Sequence, residues 1–193
     1  MKLVRDIAAV LAAPVGLILL VLMVLVLMLA PGGATAHATA QTVSAVPKLD
    51  FNQFTGSWYE VARFPNKREK NCTGDVVEVI ALGDKPKQLQ IVTSCRTNKD
   101  YTEVQNATAR TQNKRGDGEL KVTYIWPFSE KDWVLGVGPN AQWVLIGDPN
   151  HKQLWVYSRT STLSPDVRSV IEQSAAAEGF ATAKLVTTPQ SGR

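Results

Sequence analysis

From Gly56 to Arg159 apolar and polar side chains alternate in short runs rich in Val, Ile, Thr, Tyr and Trp, and turn residues separate the runs. A period of two marks a strand with one face buried. The spacing predicts eight strands, over 57–64, 75–82, 88–96, 101–110, 119–126, 132–137, 142–146 and 153–159. Between them stand Gly83-Asp84-Lys85-Pro86, Asn98-Lys99-Asp100, the stretch 113–118, Gly138-Pro139-Asn140 and Asp148-Pro149-Asn150, all residue types that tolerate turn geometry. Links this short join only antiparallel neighbours.

The period then changes. Ser164 stands as an N-cap before Pro165, and Val167, Val170, Ile171 and Ser174 recur at helical spacing as far as Gly179, which predicts one amphipathic helix. A short ninth strand follows over 183–188. There is no internal repeat and no alternation of strands with helices, which argues against a parallel sheet. The fold class is all-β, an eight-stranded antiparallel sheet with one C-terminal helix. Closed as an up-and-down barrel, eight strands leave an interior wide enough for one small ligand; a sandwich is the other architecture the pattern allows.

The N-terminal end follows a different rule. Lys2 and Arg5 precede an uncharged apolar run over 7–29, and the small-residue tract from Ala30 to Ala40 offers A-x-A sites ending at Ala36, Ala38 or Ala40. That is an export signal. The run is longer than most signal cores and would reach about 35 Å as a helix, enough to cross a bilayer, so an uncleaved anchor stays open beside a cleaved signal peptide. The two cysteines, Cys72 and Cys95, lie far from this run, which leaves no acceptor for lipid attachment there. The chain divides into 1–40 as signal peptide or N-terminal membrane anchor, 41–52 as linker, 53–188 as the barrel and 189–193 as tail. In an exported domain the two cysteines suggest a Cys72–Cys95 disulfide between neighbouring strands.

The segment Phe54-Thr55-Gly56-Ser57-Trp58-Tyr59-Glu60-Val61-Ala62-Arg63 opens the first strand with a Gly-x-Trp, and Gln153-Leu154-Trp155-Val156-Tyr157-Ser158-Arg159-Thr160 ends the last one with an Arg. On these residues the chain resembles the lipocalin family, with Trp143 to Asn150 where a second signature is expected, though departing from its usual Thr-Asp-Tyr form. Trp-Tyr-Glu-Val-Ala-Arg, the Pro127-Phe128 pair and Leu-Trp-x-x-Ser-Arg-Thr are similar to the bacterial branch of that family that resembles apolipoprotein D. The resemblance covers about 130 residues and implies a closed barrel. Gly56, Trp58 and Arg159 are then structural, Trp58 plugging the closed end with the Arg159 guanidinium across its ring.

Tyr124 and Trp126 share one face of a strand, and Trp133, Trp143 and Trp155 fall on the next three. Together with Glu60 they are the candidate cavity lining, an aromatic wall around an apolar pocket. Small residues facing it, Ala62, Ala107, Ala109, Gly136 and Gly147, are expected to leave volume free. The resemblance implies a fatty acid, lysophospholipid or similar amphiphile as ligand, with Lys67, Arg68 and Lys70 placed to meet an anionic head group.

Composition narrows the partners. At 193 residues, 45% hydrophobic and net +4, with Lys and Arg scattered among Asp and Glu, the chain has no basic stripe for nucleic acid. Its two histidines, His37 and His151, make neither a metal site nor a catalytic relay, and a thiol locked in a disulfide is no nucleophile. No cofactor, metal or enzyme activity is expected. The expected protein is an exported lipid carrier or store of the periplasm or cell envelope serving membrane maintenance, with membrane association and a homodimer left open. The alternative is a barrel filled by its own side chains that acts as a protein-interaction module.

Overall fold

A computed structural model describes residues 41–99, 102–112 and 117–191. The expected export segment 1–40 and most of the turn expected over 113–118 lie outside them. Eight strands, β1 (Gly56–Arg63), β2 (Cys72–Leu82), β3 (Gln88–Thr97), β4 (Thr102–Thr111), β5 (Glu119–Ile125), β6 (Phe128–Val137), β7 (Trp143–Gly147) and β8 (Leu154–Ser158), pair antiparallel in chain order. β8 returns to β1, and β1 also pairs with β2 from Gly56↔Ile80 to Tyr59↔Val77, so the sheet closes as a barrel. The up-and-down order puts the β1–β2, β3–β4, β5–β6 and β7–β8 connections at one end, and the other end is where the chain enters β1.

A short helix, α1 (Phe51–Phe54), precedes β1 and closes that end. Phe54 packs on Trp58, whose Nε1–H donates to the Phe54 carbonyl at 2.8 Å. The Arg159 Cζ lies 3.6 Å from the centre of the Trp58 ring, and its guanidinium donates to the carbonyls of Ser57, Gln53 and Thr55 at 2.7–2.9 Å. Gly56 has φ +98°, and a Cβ there would meet Arg159 Nη1 at 3.3 Å, so an L side chain would be strained twice over.

α2 (Pro165–Ala177) starts as the sequence predicts, with Ser164 Oγ accepting from Val167 N. It buries Ile171 and Ala175, not the expected Val170, which is exposed. With Phe180 these residues cover the outer face of the barrel over Val61, Phe64, Trp143, Leu145 and Val156, a second core separate from the barrel interior. A two-residue strand, β9 (Val186–Thr187), pairs with β1.

Two expectations change. The segment 41–52, expected as a linker, is packed: Val43 and Leu49 are buried, and Val46 exchanges backbone hydrogen bonds with Val134 and Gly118. Its apolar side chains sit too far apart to show a period, so only the packing reveals them. β6 starts four residues earlier than expected because the chain reverses at Trp126-Pro127, joined by a cis peptide, and Ile125 pairs at once with Phe128. Polar Ser129, Glu130 and Lys131, outside the eight predicted runs, are strand residues.

The polar tail is also engaged. Above Tyr59↔Val77 the strands β1 and β2 diverge, and Gln190 Nε2 donates across the gap to the carbonyls of Glu60 and Val76 at 2.7 and 3.0 Å. The Pro189 carbonyl accepts from Asp75 N, and Ser191 N donates to Asp75 Oδ1. The disulfide Cys72–Cys95 ties β2 to β3, with Cα atoms 5.6 Å apart.

Candidate functional site

Alternation along each strand decides which residues face inward. Ile80, Leu89, Ala107, Ala109, Leu120 and Val122 make the lower interior apolar, with Phe54 beneath. Nearer the β1–β2 and β5–β6 connections the same parity brings in polar groups: Glu78, Thr93, Gln105, Tyr124, Asp132 and Tyr157. Glu69 and Arg68, from the β1–β2 loop, complete this upper layer. The interior is therefore amphiphilic along its axis, apolar below and polar above.

Arg68, expected with Lys67 and Lys70 to meet an anionic head group, lies across two rings of the interior. Its Cζ lies 4.0 Å from the Tyr124 ring centre and 4.9 Å from that of Trp155. Nη1 pairs with Glu130 at 2.5 Å, Nη2 reaches Gln153 Oε1 at 3.4 Å, and Asp132 Oδ2 is 3.8 Å away. Gln105 Nε2 donates to the Arg68 carbonyl at 3.0 Å and holds the loop over the interior. With this side chain in place the free volume is about 40 Å³, room for a few waters and far below the roughly 300–1,000 Å³ of a ligand pocket.

The carboxylates beneath it are costly to keep ionised. Burial pushes the Glu78 carboxyl up to about 7, against hydrogen bonds donated by Tyr157 Oη at 2.9 Å and Thr93 Oγ1 at 3.2 Å. Burial likewise pushes Asp132 up to about 6, although Arg68 and the hydroxyl of Tyr124, 3.1 Å from Oδ2, favour its charged form. Asp132 is 5% exposed and its Oδ1 has no hydrogen-bond partner. Burial also raises Tyr124 and Tyr157 well above the ordinary phenol range, so both remain O–H donors. Glu69 accepts from Trp155 Nε1 at 3.3 Å and pairs with Arg63 at 3.2 Å.

Of the candidate lining residues, Tyr124 and Trp155 meet in the interior. Glu60, fully buried, lies in the wall and not among the lining residues; its Oε1 takes Arg63 Nη1 at 2.5 Å and the Thr188 hydroxyl, and burial raises its pKa well above the usual carboxylate range. Trp126 is 85% exposed, because β5 ends at Ile125 and the turn carries the ring outward. Trp133 and Trp143 point to the outer core, since Asp132 and Val134 on β6, and Val144 and Ile146 on β7, take the inward parity. The continuous aromatic wall expected from the sequence does not form.

Small residues sort in the same way. Ala107 and Ala109 face inward, but Ala62 lies in the outer core and a Cβ on Gly136 or Gly147 would meet Trp143 or Phe180 there. Lys67 and Lys70 are exposed. The residues missed, Glu78, Asp132 and Tyr157, carried a signal: each stands two positions from an inward apolar residue, Ile80, Val134 and Trp155. Among the described residues no three His, Cys, Asp or Glu side chains converge closely enough to hold a metal ion, and no helix is long and apolar enough to cross a membrane.

A family model described as a lipocalin-like domain matches residues 49–190. The outer membrane lipoprotein Blc of Citrobacter freundii is 28% identical over 156 residues, 78% of this chain and 84% of that one. Temperature-induced lipocalin-1 of Arabidopsis thaliana is 26% identical, over 77% of this chain and 83% of its own length. Among solved structures, insecticyanin from the tobacco hornworm Manduca sexta superposes with a TM-score of 0.64 at 16% identity, covering 79% of this chain and 87% of that one.

Proposed function

Since the chain belongs to the lipocalin family, we propose that it is an extracytoplasmic binding protein that stores or carries a single-chain amphiphile for membrane maintenance, the class to which fatty acids and lysophospholipids belong. The observation that carries this is the axial division of the interior, with Leu89, Leu120 and Val122 deep in the barrel and Glu78, Tyr124 and Asp132 above them. A tail enters the apolar half, and the head stays where hydrogen-bonding partners are. Entry requires the Arg68 side chain to leave, because about 40 Å³ holds no acyl chain.

Action at a membrane has its own support. The β5–β6 tip exposes Ile125 by 73%, Trp126 by 85% and Phe128 by 75%, and Lys85, Arg110 and Lys121 line the groove beside Trp126. Exposed aromatics beside cations suit an anionic lipid surface, and the tip is at the same end as Arg68. Likeness to an outer membrane lipoprotein favours the cell envelope. Binding without catalysis is the function proposed, in keeping with membership of the lipocalin family.

Native mass spectrometry of the protein purified without detergent tests it. An amphiphile at one per barrel is the expected result. A mass that stays unliganded with added lipid would favour a barrel filled by its own side chains and acting on a protein partner, the reading that the small free volume supports.

A further inference from the structure

Resting on the amphiphile reading above, we propose that the head group this barrel selects is cationic, an ammonium or quaternary ammonium that takes the place of the Arg68 guanidinium between Tyr124 and Trp155 and closes on Asp132. The site already contains a cation of its own. Arg68 lies 4.0 and 4.9 Å from the two ring centres, within the distance at which an aromatic face attracts positive charge and at which aromatic cages hold quaternary ammonium ligands.

Charge in the lining points the same way. Glu69, Glu78 and Asp132 face a single lining cation, Arg68. Glu69 is partnered by Arg63 and Asn66, and Glu78 by Tyr157 and Thr93. Asp132 is different: its Oδ1 is buried without a partner, and Arg68 stands too far from Oδ2, at 3.8 Å, to hydrogen-bond to it. A buried carboxylate oxygen left unpaired is costly, and an arriving ammonium removes that cost. An anionic head would instead add a negative charge beside Asp132 and Glu69, in surroundings where charges are weakly screened.

Arg68 can leave without losing its main partner. Its short ion pair is with Glu130, whose side chain is 48% exposed at the rim, so the guanidinium can swing outward on Glu130 as the ligand enters. A bare metal ion does not fit, since among the described residues no three potential ligands converge; a larger organic cation spans the distance between the rings and Asp132.

The test compares three twelve-carbon amphiphiles below their micelle concentrations, dodecyltrimethylammonium, dodecanoate and monododecanoylglycerol, titrated calorimetrically into the full chain. The expected result is at least ten-fold tighter binding of the cation than of either other probe. Asp132→Asn should bring the ratio of cation to neutral affinity close to one, and Arg68→Ala should raise it several-fold by removing the resident competitor. Equal binding of cation and neutral probe by the wild type, or preference for dodecanoate, overturns the cationic head group while leaving the amphiphile reading standing. Failure of all three to bind overturns both.

Discussion

Glu78→Gln isolates the energetic consequence of a carboxyl buried in the barrel. The folded chain holds the Glu78 proton up to about 7, whereas an unfolded glutamate releases it near 4.5. Between those values the folded state binds more protons than the unfolded one, so stability is fully present below 4.5 and falls as pH rises through 7. At about 1.4 kcal/mol per pH unit the loss is about 3 kcal/mol. Asp132 contributes with the same sign from 3.8 to about 6, so the window from 6 to 7.5 belongs mainly to Glu78. Glutamine can still accept from Tyr157 and Thr93 and is neutral throughout. Urea unfolding followed by tryptophan fluorescence at pH 5, 6, 7 and 8 should therefore show the variant gaining on the wild type by about 2–3 kcal/mol from pH 5 to pH 8. Two parallel stability profiles would refute the burial of a protonated Glu78.

Trp58→Ala empties a fully packed site and orphans the Arg159 stacking, and should lower stability by about 3–5 kcal/mol; an unchanged melting curve would deny Trp58 its role at the closed end. Replacing both Cys72 and Cys95 by Ser frees a loop with a sequence separation of 23 and should cost about 3 kcal/mol on the loop-entropy account, read as a lower denaturation midpoint. Trp126→Ser removes an exposed ring and should leave the melting temperature in place while weakening association with vesicles of phosphatidylglycerol in a flotation assay. Equal flotation of variant and wild type would remove the β5–β6 tip from any membrane contact.

Much of the fold was legible because alternation is a property of each strand by itself. Leu120-Lys121-Val122-Thr123-Tyr124 announces both a strand and its inward face. Ser164-Pro165 announces a helix start through local chemistry, and Ser164 does cap Val167 N. Trp133 and Trp143 misled because two cores lie back to back here: apolar side chains on the outer face pack into a core with α2 and Phe180 just as those inside pack in the barrel, and composition does not separate the two faces. Their neighbours Asp132, Val134, Val144 and Ile146 hold the parity that does. Arg68 was unreadable for another reason. A loop residue has no period, and whether a long cation points to water or lies across two rings depends on contacts with β5 and β8, more than fifty residues away in sequence.

The stitch made by Gln190 between Glu60 and Val76 has a consequence for the order in which the barrel is completed. The ladder of β1 and β2 runs only from Gly56↔Ile80 to Tyr59↔Val77, and above it the wall is joined by Gln190 and by Arg63, which donates to the Cys72 carbonyl at 3.3 Å. As synthesis proceeds from the N-terminus, all eight strands exist while this seam still gapes beside the polar layer that holds Glu69 and Glu78. A truncation before Thr188 would therefore leave eight complete strands without the contacts that Gln190 makes to Glu60 and Val76.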